Sequence, residues 1–141
     1  MNAPPAPRRV LIVEDSAVLR HLLMRVVAGD PRLELLEAVE TAEEALRLVP
    51  RLRPDVISMD ICLPGMDGLE ATRQIMAHFP TPIVIVSDTL GGQSTHVSMN
   101  ALRSGALSVM EKPQGLSGAA GAAMAQGLSL IHISEPTRLQ L

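Results

Sequence analysis

The amino-acid sequence predicts an α/β protein with a doubly wound, five-stranded parallel sheet and five helices. Short runs of Val, Ile and Leu alternate five times with longer segments in which apolar residues recur at helical spacing. Continuous apolar runs of this length are typical of parallel strands that are buried on both faces. Strands that alternate with single helices need right-handed crossovers, which place helices on both faces of the sheet. The 141 residues, of which 47% are hydrophobic, suffice for one domain with its own core.

Turn and capping residues set the predicted bounds of these elements. Gly29 and Pro31 stop the first helix, and Thr41 and Glu44 have the spacing of a capping box at the start of the second. Pro50 is predicted to end that second helix, because a proline inside a helix removes a hydrogen bond. The predicted strands are 9–14, 33–38, 55–59, 83–86 and 107–110. The predicted helices are 16–28, 41–50, 69–78, 93–103 and 116–131.

The last helix is predicted to be the weakest of the five. It keeps an apolar stripe, but Gly118, Gly121 and Gly127 each cost a helix about 1 kcal/mol relative to Ala. The segment 129–138 resembles translated sequencing-adapter sequence and replaces what should be the end of this helix. We therefore predict a disordered, proline-rich lead-in at 1–8, one domain at 9–128, and a non-native or disordered tail at 129–141.

Charge and composition argue against several classes of protein. The net charge of −3, with the Arg residues scattered along the chain, argues against a nucleic-acid-binding surface. The single cysteine rules out an internal disulfide and is typical of a reducing compartment. No apolar stretch approaches the ~20 residues that a membrane span needs, and the proline-rich N-terminus lacks the features of a signal peptide. We therefore expect a soluble, cytoplasmic protein.

Polar residues of four different kinds follow four of the predicted strands. The first strand ends at the acid pair Glu14 and Asp15, the third leads to Asp60, the fourth to Ser87, and the fifth to Lys112, the only lysine in the chain. The carboxyl ends of parallel strands share one edge of the sheet, and ligands bind at that edge. The sequence therefore predicts one crevice with a divalent-metal site, a carboxylate nucleophile and a phosphate-binding cation. Such a site would accept a phosphoryl group on Asp60.

The acid pair and Asp60 have the chemistry that formation of an aspartyl phosphate needs. A carboxylate that attacks phosphorus meets the negative charge of the phosphoryl oxygens. Mg²⁺ lowers this barrier, and it binds one or two protein carboxylates while it keeps several waters. Either Glu14 or Asp15 can bind the metal directly, with the other acting through water. Each acid alone is more often a turn or capping residue, but their combination with Lys112 favours the site.

The order and spacing of these residues resemble the receiver domain of two-component response regulators. The matching features are the acid pair, Asp60 ahead of the motif Leu-Pro-Gly-Met-Asp-Gly at 63–68, Ser87, and Lys112 followed by Pro113. Together they cover most of the chain. The resemblance implies that Ser87 and Lys112 contact the acquired phosphoryl group. It also implies that Pro113 sets a cis peptide that aims the lysine inward.

The receiver resemblance further implies a flavodoxin-like strand order of 2-1-3-4-5. It implies that Asp60 takes its phosphoryl group from a sensor histidine kinase, with Mg²⁺ as the cofactor. Asp15, Asp60 and the backbone carbonyl of Cys62 would bind the metal directly, and Glu14 would assist through water.

Within this family the sequence looks most like the receivers attached to chemotaxis-type protein-glutamate methylesterases. The stretches 86–90, 101–106 and 111–113 carry this narrower likeness. The methylesterase domain itself is absent, and Gly92-Gln-Ser94 lacks the second glycine of a nucleophile elbow. We therefore expect a regulatory domain that is not itself an enzyme.

Two residues depart from the usual receiver pattern. Val109 stands where many receivers carry an aromatic residue that swings inward on phosphorylation, and Asp88 places an acid directly after Ser87. These departures leave two alternatives to a phosphorylation-dependent receiver. One is an interaction module that binds its partners without phosphorylation. The other is the regulatory fragment of a methylesterase that lacks its catalytic domain.

Overall fold

The computed structural model describes residues 6–87, 94–112 and 118–130, and for 94–98, 118–120 and 130 it describes the backbone alone. Its strands are β1 (Arg8–Val13), β2 (Leu33–Val39), β3 (Val56–Asp60), β4 (Ile83–Ser87) and β5 (Ser108–Glu111). Its helices are α1 (Ala17–Ala28), α2 (Ala42–Leu52), α3 (Gly68–His78), α4 (Ser94–Arg103) and α5 (Gly118–Leu130). The strands are all parallel and lie in the order β2-β1-β3-β4-β5, which confirms the predicted fold class and strand order.

Apolar side chains pack on both faces of the sheet. Successive residues of a strand point to opposite faces, so each buried strand contributes to both sides. Leu11 and Ile57 belong to the cluster that includes residues of α2 and α3. Ile12 and Val84 belong to the cluster that includes residues of α1 and α5. The strands are therefore held from both sides, and their carboxyl ends are fixed relative to one another.

The second helix continues beyond Pro50, so the predicted end at this proline is wrong. α2 runs to Leu52 and is followed by Arg53, whose backbone is left-handed with φ of 49°. The guanidinium of Arg9 donates to the carbonyls of Leu52 and Arg53, at 2.8 Å each. Because these bonds satisfy carbonyls that a helix end leaves without partners, a contact from β1 stabilises the helix past its proline.

The other predicted elements agree with the structure to within one or two residues at each end. Ser16, Thr41 and Asp67 cap α1, α2 and α3, and each side chain accepts a backbone N–H from the first turn of its helix. Thr41 is thus confirmed as the predicted cap of the second helix.

Regular structure reaches close to both predicted domain boundaries. β1 begins at Arg8 and α5 ends at Leu130. Residues 1–5 and 131–141, which make up most of the predicted lead-in and tail, lie outside the described residues, so those predictions stay open. None of the helices in the described part of the chain combines the length and the apolar character that a membrane span requires.

Candidate functional site

The loop between β1 and α1 carries the acid pair. Glu14 directly follows β1 and is buried, with 1% of its surface exposed, whereas Asp15 is exposed. The Glu14 amide donates to the Val39 carbonyl at 2.9 Å, which continues the pairing of β1 with β2. Its carboxylate Oε2 accepts a hydrogen bond from the Ser16 amide at 3.1 Å. These bonds hold Glu14 at the carboxyl edge of the sheet.

Asp60 is the last residue of β3, and the start of α3 packs closely against its backbone. Its side chain is buried, and Oδ1 accepts a hydrogen bond from the Cys62 amide at 3.1 Å. The amide of Gly68 donates to the Ile61 carbonyl at 3.1 Å. A Cβ atom at Gly68 would overlap the backbone carbonyl of Asp60, so only glycine fits at this position. Gly68, the last residue of the 63–68 motif, therefore lets this loop pack against the backbone of Asp60.

Lys112 contacts both buried acids from the end of β5. Its Nζ lies 3.1 Å from Asp60 Oδ1 and 3.4 Å from Glu14 Oε1, and 10% of its side chain is exposed. Its amide donates to the Ser87 carbonyl at 2.8 Å, which fixes Lys112 beside the end of β4. Ser87 is also buried. One ammonium thus faces two carboxylates in a place with little access to water.

Burial makes the two buried acids harder to ionise. Burial has the largest effect on Glu14 and, together with the nearby Asp60 carboxylate, raises its pKa to about 7. The hydrogen bond from the Ser16 amide and the charge of Lys112 act in the opposite direction and lower this pKa. Burial also raises the pKa of Asp60, although the Cys62 amide and Lys112 favour its charged form. When both acids are ionised, one ammonium does not balance them, and a further cation would be stabilised here.

The three acids form a group that fits a hard divalent cation. Carboxylate oxygens of Glu14, Asp15 and Asp60 lie within 4.8 Å of one another. Within the described part of the chain, the buried atom Asp60 Oδ2 has no hydrogen-bond partner, and Glu14 Oε1 has only the Lys112 ammonium at 3.4 Å. Mg²⁺ takes oxygen ligands, usually one or two carboxylates, and keeps several of its waters. The exposed Asp15 leaves one side of the group open for such waters.

Five predicted site residues come together at the carboxyl edge of the sheet: Glu14, Asp15, Asp60, Ser87 and Lys112. Cys62 is exposed in the loop after β3, and its amide contacts Asp60. Val109 is partly buried and packs against the cluster on the α2 and α3 side of the sheet. Pro113 and Asp88, on which the cis-peptide prediction and the acid after Ser87 depend, lie outside the described residues.

Arg20 also belongs to the site, although the sequence analysis did not predict it. Its guanidinium Nη1 donates to the backbone carbonyls of Glu14 at 3.1 Å and Asp15 at 3.4 Å, and lies 3.7 Å from Glu40 Oε1. The only signal in the sequence is its position four residues after the helix cap Ser16. Many surface arginines share such a position, so the contact with the loop could not be foreseen.

The fold and the site define a receiver of the two-component type, and comparison with known proteins places the chain there. It belongs to the response regulator receiver domain family, whose pattern matches residues 10–119. The response regulator domain of Thermotoga maritima CheB superposes with a TM-score of 0.72 at 33% sequence identity, covering 86% of this chain and 90% of that one. The NarL signal receiver domain from Mycobacterium tuberculosis has a TM-score of 0.76 at 21% identity, covering 89% and 98%, and shows the fold alone.

The curated relatives point to one branch of this family. The chain is 51% identical over 111 residues to protein-glutamate methylesterase/protein-glutamine glutaminase 2 of Paramagnetospirillum magneticum, covering 79% of this chain and 32% of that protein. It is 50% identical over 109 residues to protein-glutamate methylesterase/protein-glutamine glutaminase 4 of Myxococcus xanthus, covering 77% and 31%. The match thus spans about a third of the length of these relatives.

Proposed function

We propose that the domain accepts a phosphoryl group on Asp60 from the phosphohistidine of a sensor histidine kinase, with Mg²⁺ as cofactor. The observation that carries the proposal is the environment of Asp60. It is a buried carboxylate 3.1 Å from the Lys112 ammonium, and its oxygens are grouped with those of Glu14 and Asp15. A nucleophile, a group of metal ligands and a cation therefore meet at one point, as phosphoryl transfer requires.

In the proposed transfer, one carboxylate oxygen of Asp60 attacks phosphorus. A P–O bond forms, the P–N bond of the phosphohistidine breaks, and the imidazole leaves with that electron pair and takes a proton from water. Bound Mg²⁺ would offset the charge of the phosphoryl oxygens. Lys112, which contacts Asp60 Oδ1 before the transfer, then has a phosphoryl oxygen as a stronger charge-assisted partner. The Ser87 hydroxyl donates to a second phosphoryl oxygen.

We assign the metal ligands as membership of the receiver family implies, and the exposure of the acids supports the assignment. Asp15, the exposed acid, would bind the metal directly, together with Asp60 and the backbone carbonyl of Cys62. Glu14, which is buried, would contribute through a water. Direct and water-mediated carboxylates of this kind suit the coordination of Mg²⁺.

The proposed output is regulation of a protein-glutamate methylesterase in the cytoplasm, by a shift between two conformations of the face around α4 and β5. The support is the match to relatives of that name over about a third of their length. The domain itself catalyses only its own modification, which water later removes, and turns over no external substrate.

A second candidate is an interaction module that works without phosphorylation. Val109 favours it, since a partly buried valine has no ring that could swing inward as a switch. The acid group and Lys112 argue against it, because a module without phosphorylation gains nothing from buried carboxylates that are costly to ionise.

Intact-mass measurement after incubation with acetyl phosphate and Mg²⁺ separates these candidates. We expect one added phosphoryl group on the wild type, none on Asp60→Asn, and one on the control Asp30→Asn, which removes a carboxylate outside the acid group. Equal labelling of Asp60→Asn would refute the assignment of the acceptor. Absence of labelling from the folded wild type would favour the interaction module.

A further inference from the structure

Arg20 links the acid pair to the neighbouring loop. It donates from within α1 to the carbonyls of both Glu14 and Asp15, at 3.1 and 3.4 Å. The same Nη1 atom lies 3.7 Å from Glu40, which directly follows β2. Only 14% of the arginine side chain is exposed. A charged side chain that is largely buried against two backbone carbonyls restrains the loop that carries them.

The two kinds of contact that Arg20 makes differ in strength. Glu40 is 63% exposed, and exposed ion pairs of this kind contribute little. The bonds to the carbonyls of Glu14 and Asp15 are charge-assisted and partly shielded from water, so they are the stronger contacts. Arg20 therefore acts mainly on the backbone of the acid pair, and the pairing with Glu40 is secondary.

We propose that Arg20 is a positioning residue, which holds the backbone of Glu14 and Asp15 so that their carboxylates face Asp60 and thereby sets the affinity of the site for Mg²⁺. This inference rests on the proposed function, because it assigns a role toward the same metal. It concerns the loop and not the transfer step, since Arg20 contacts carbonyls and none of the reacting groups.

Two effects of removing the guanidinium oppose each other. Loss of a positive charge near the acids favours a divalent cation, whereas loss of the two carbonyl bonds lets the acid pair move away from Asp60. The guanidinium lies beside Glu40, which offsets part of its charge, and it donates to backbone carbonyls of the acid pair, so we expect the loss of positioning to dominate. The proposal therefore predicts weaker binding of Mg²⁺ when Arg20 is replaced by an uncharged residue of similar length.

The matched control is Arg25→Met. Arg25 is an exposed arginine on the same helix, so its replacement removes the same charge from α1 and leaves the acid loop untouched. Titration calorimetry with Mg²⁺ should give a dissociation constant about tenfold higher for Arg20→Met, which corresponds to about 1.4 kcal/mol. It should change by less than about twofold for Arg25→Met, since surface substitutions away from a site have small effects. Arg20→Lys, which keeps the charge but not the fork of donors, should fall between Arg20→Met and the wild type.

Hydrogen exchange in the metal-free protein supplies a readout that does not depend on Mg²⁺. The Ser16 amide, which donates to Glu14 Oε2, should exchange faster in Arg20→Met than in the wild type or Arg25→Met. Wild-type Mg²⁺ affinity in folded Arg20→Met, or unchanged exchange at Ser16, would overturn the proposal. If Arg20→Met fails to fold, the same comparison is made with Arg20→Lys. If the wild type binds no Mg²⁺, the proposed function is wrong, and so is the proposal that Arg20 sets the affinity for Mg²⁺. Faster exchange of the Ser16 amide in Arg20→Met would then show only that Arg20 holds the loop.

Discussion

At the amino edge of the sheet Asp30 and Arg32 form a closed ion pair, whereas at the carboxyl edge Glu14 and Asp60 share the single ammonium of Lys112. Arg32 donates to both oxygens of Asp30, at 2.9 and 2.6 Å, and its amide donates as well. These hydrogen bonds lower the pKa of Asp30 to about 2, and those from the Arg32 side chain have the largest effect. At the other edge, burial raises the pKa of both Glu14 and Asp60.

The amino edge therefore carries a structural ion pair, whereas the carboxyl edge carries a site that can respond to a bound ligand. The charge of Asp30 has its partner within the protein, so no further ligand is needed there. At the carboxyl edge two buried carboxylates share one ammonium, and Asp60 Oδ2 has no hydrogen-bond partner within the described part of the chain. A metal ion would relieve this excess of negative charge, and a phosphoryl group on Asp60 would give Lys112 a new partner.

Removal of Lys112 is expected to have the largest effect on stability. Lys112→Ala leaves two buried carboxylates without their cation, and the loss of one partner of a buried pair typically costs about 3 kcal/mol or more. Urea unfolding at about pH 8 without Mg²⁺ should show this loss. The loss should be smaller at about pH 5, because Glu14, whose pKa is about 7, is then protonated and leaves less negative charge for Lys112 to balance. Replacement of the exposed Arg103 by Ala is the control and should change little at either pH. A loss that is the same at both pH values would contradict a role for Lys112 in balancing these acids.

The stability of the metal-free domain should also fall as the pH rises from about 4.5 to about 7. The pKa of Glu14 is about 7 in the folded protein, above its ordinary value of 4.5, so the folded state binds more protons in this range. The contribution is full below the ordinary value and is lost as the pH rises through 7, a loss on the order of 2 kcal/mol. Urea unfolding across this range measures it.

Glu14→Gln is the control for this pH dependence, because glutamine cannot ionise, and it should flatten the curve. Addition of Mg²⁺ should restore stability mainly at the upper end of the range, where the acids are charged. A metal-free domain that becomes more stable between these pH values would show that burial does not govern Glu14.

The smallest effect is expected at the opposite edge. The pKa of Asp30 is lowered, so its pair contributes stability above the ordinary value of 3.8, and this is lost as the pH falls through about 2. Because Arg32 is largely exposed, solvent and salt screen the pair, and Asp30→Asn should shift the urea midpoint only slightly, and less at high salt. Mg²⁺ should affect the variant and the wild type equally. A shift as large as that of Lys112→Ala would remove the contrast between the edges.

The features that the sequence revealed are those encoded by short local patterns. The strands and the carboxyl-edge site could be predicted because four of the five apolar runs end in polar residues of distinct kinds, and a parallel sheet gathers those ends. Pro50 misled the prediction because the bonds that hold the end of α2 come from Arg9, which lies far away in the sequence. Arg20 was missed for a similar reason, since a side chain that binds backbone carbonyls leaves no recognisable partner in the sequence.

Chemical mapping of the acceptor tests the central claim most directly. Borohydride reduces an aspartyl phosphate to homoserine, so treatment after incubation with acetyl phosphate marks the modified residue for peptide mass spectrometry. With Mg²⁺, we expect homoserine at Asp60 and no modification of any other acid. With EDTA, we expect the conversion of Asp60 to fall by about 100-fold or more, because a metal contributes several kcal/mol to such a transfer. Homoserine at Asp15, 5-hydroxynorvaline (the corresponding reduction product of a glutamyl phosphate) at Glu14, or undiminished conversion of Asp60 in EDTA, would contradict the claim that the carboxyl edge is a metal-dependent phosphoacceptor site.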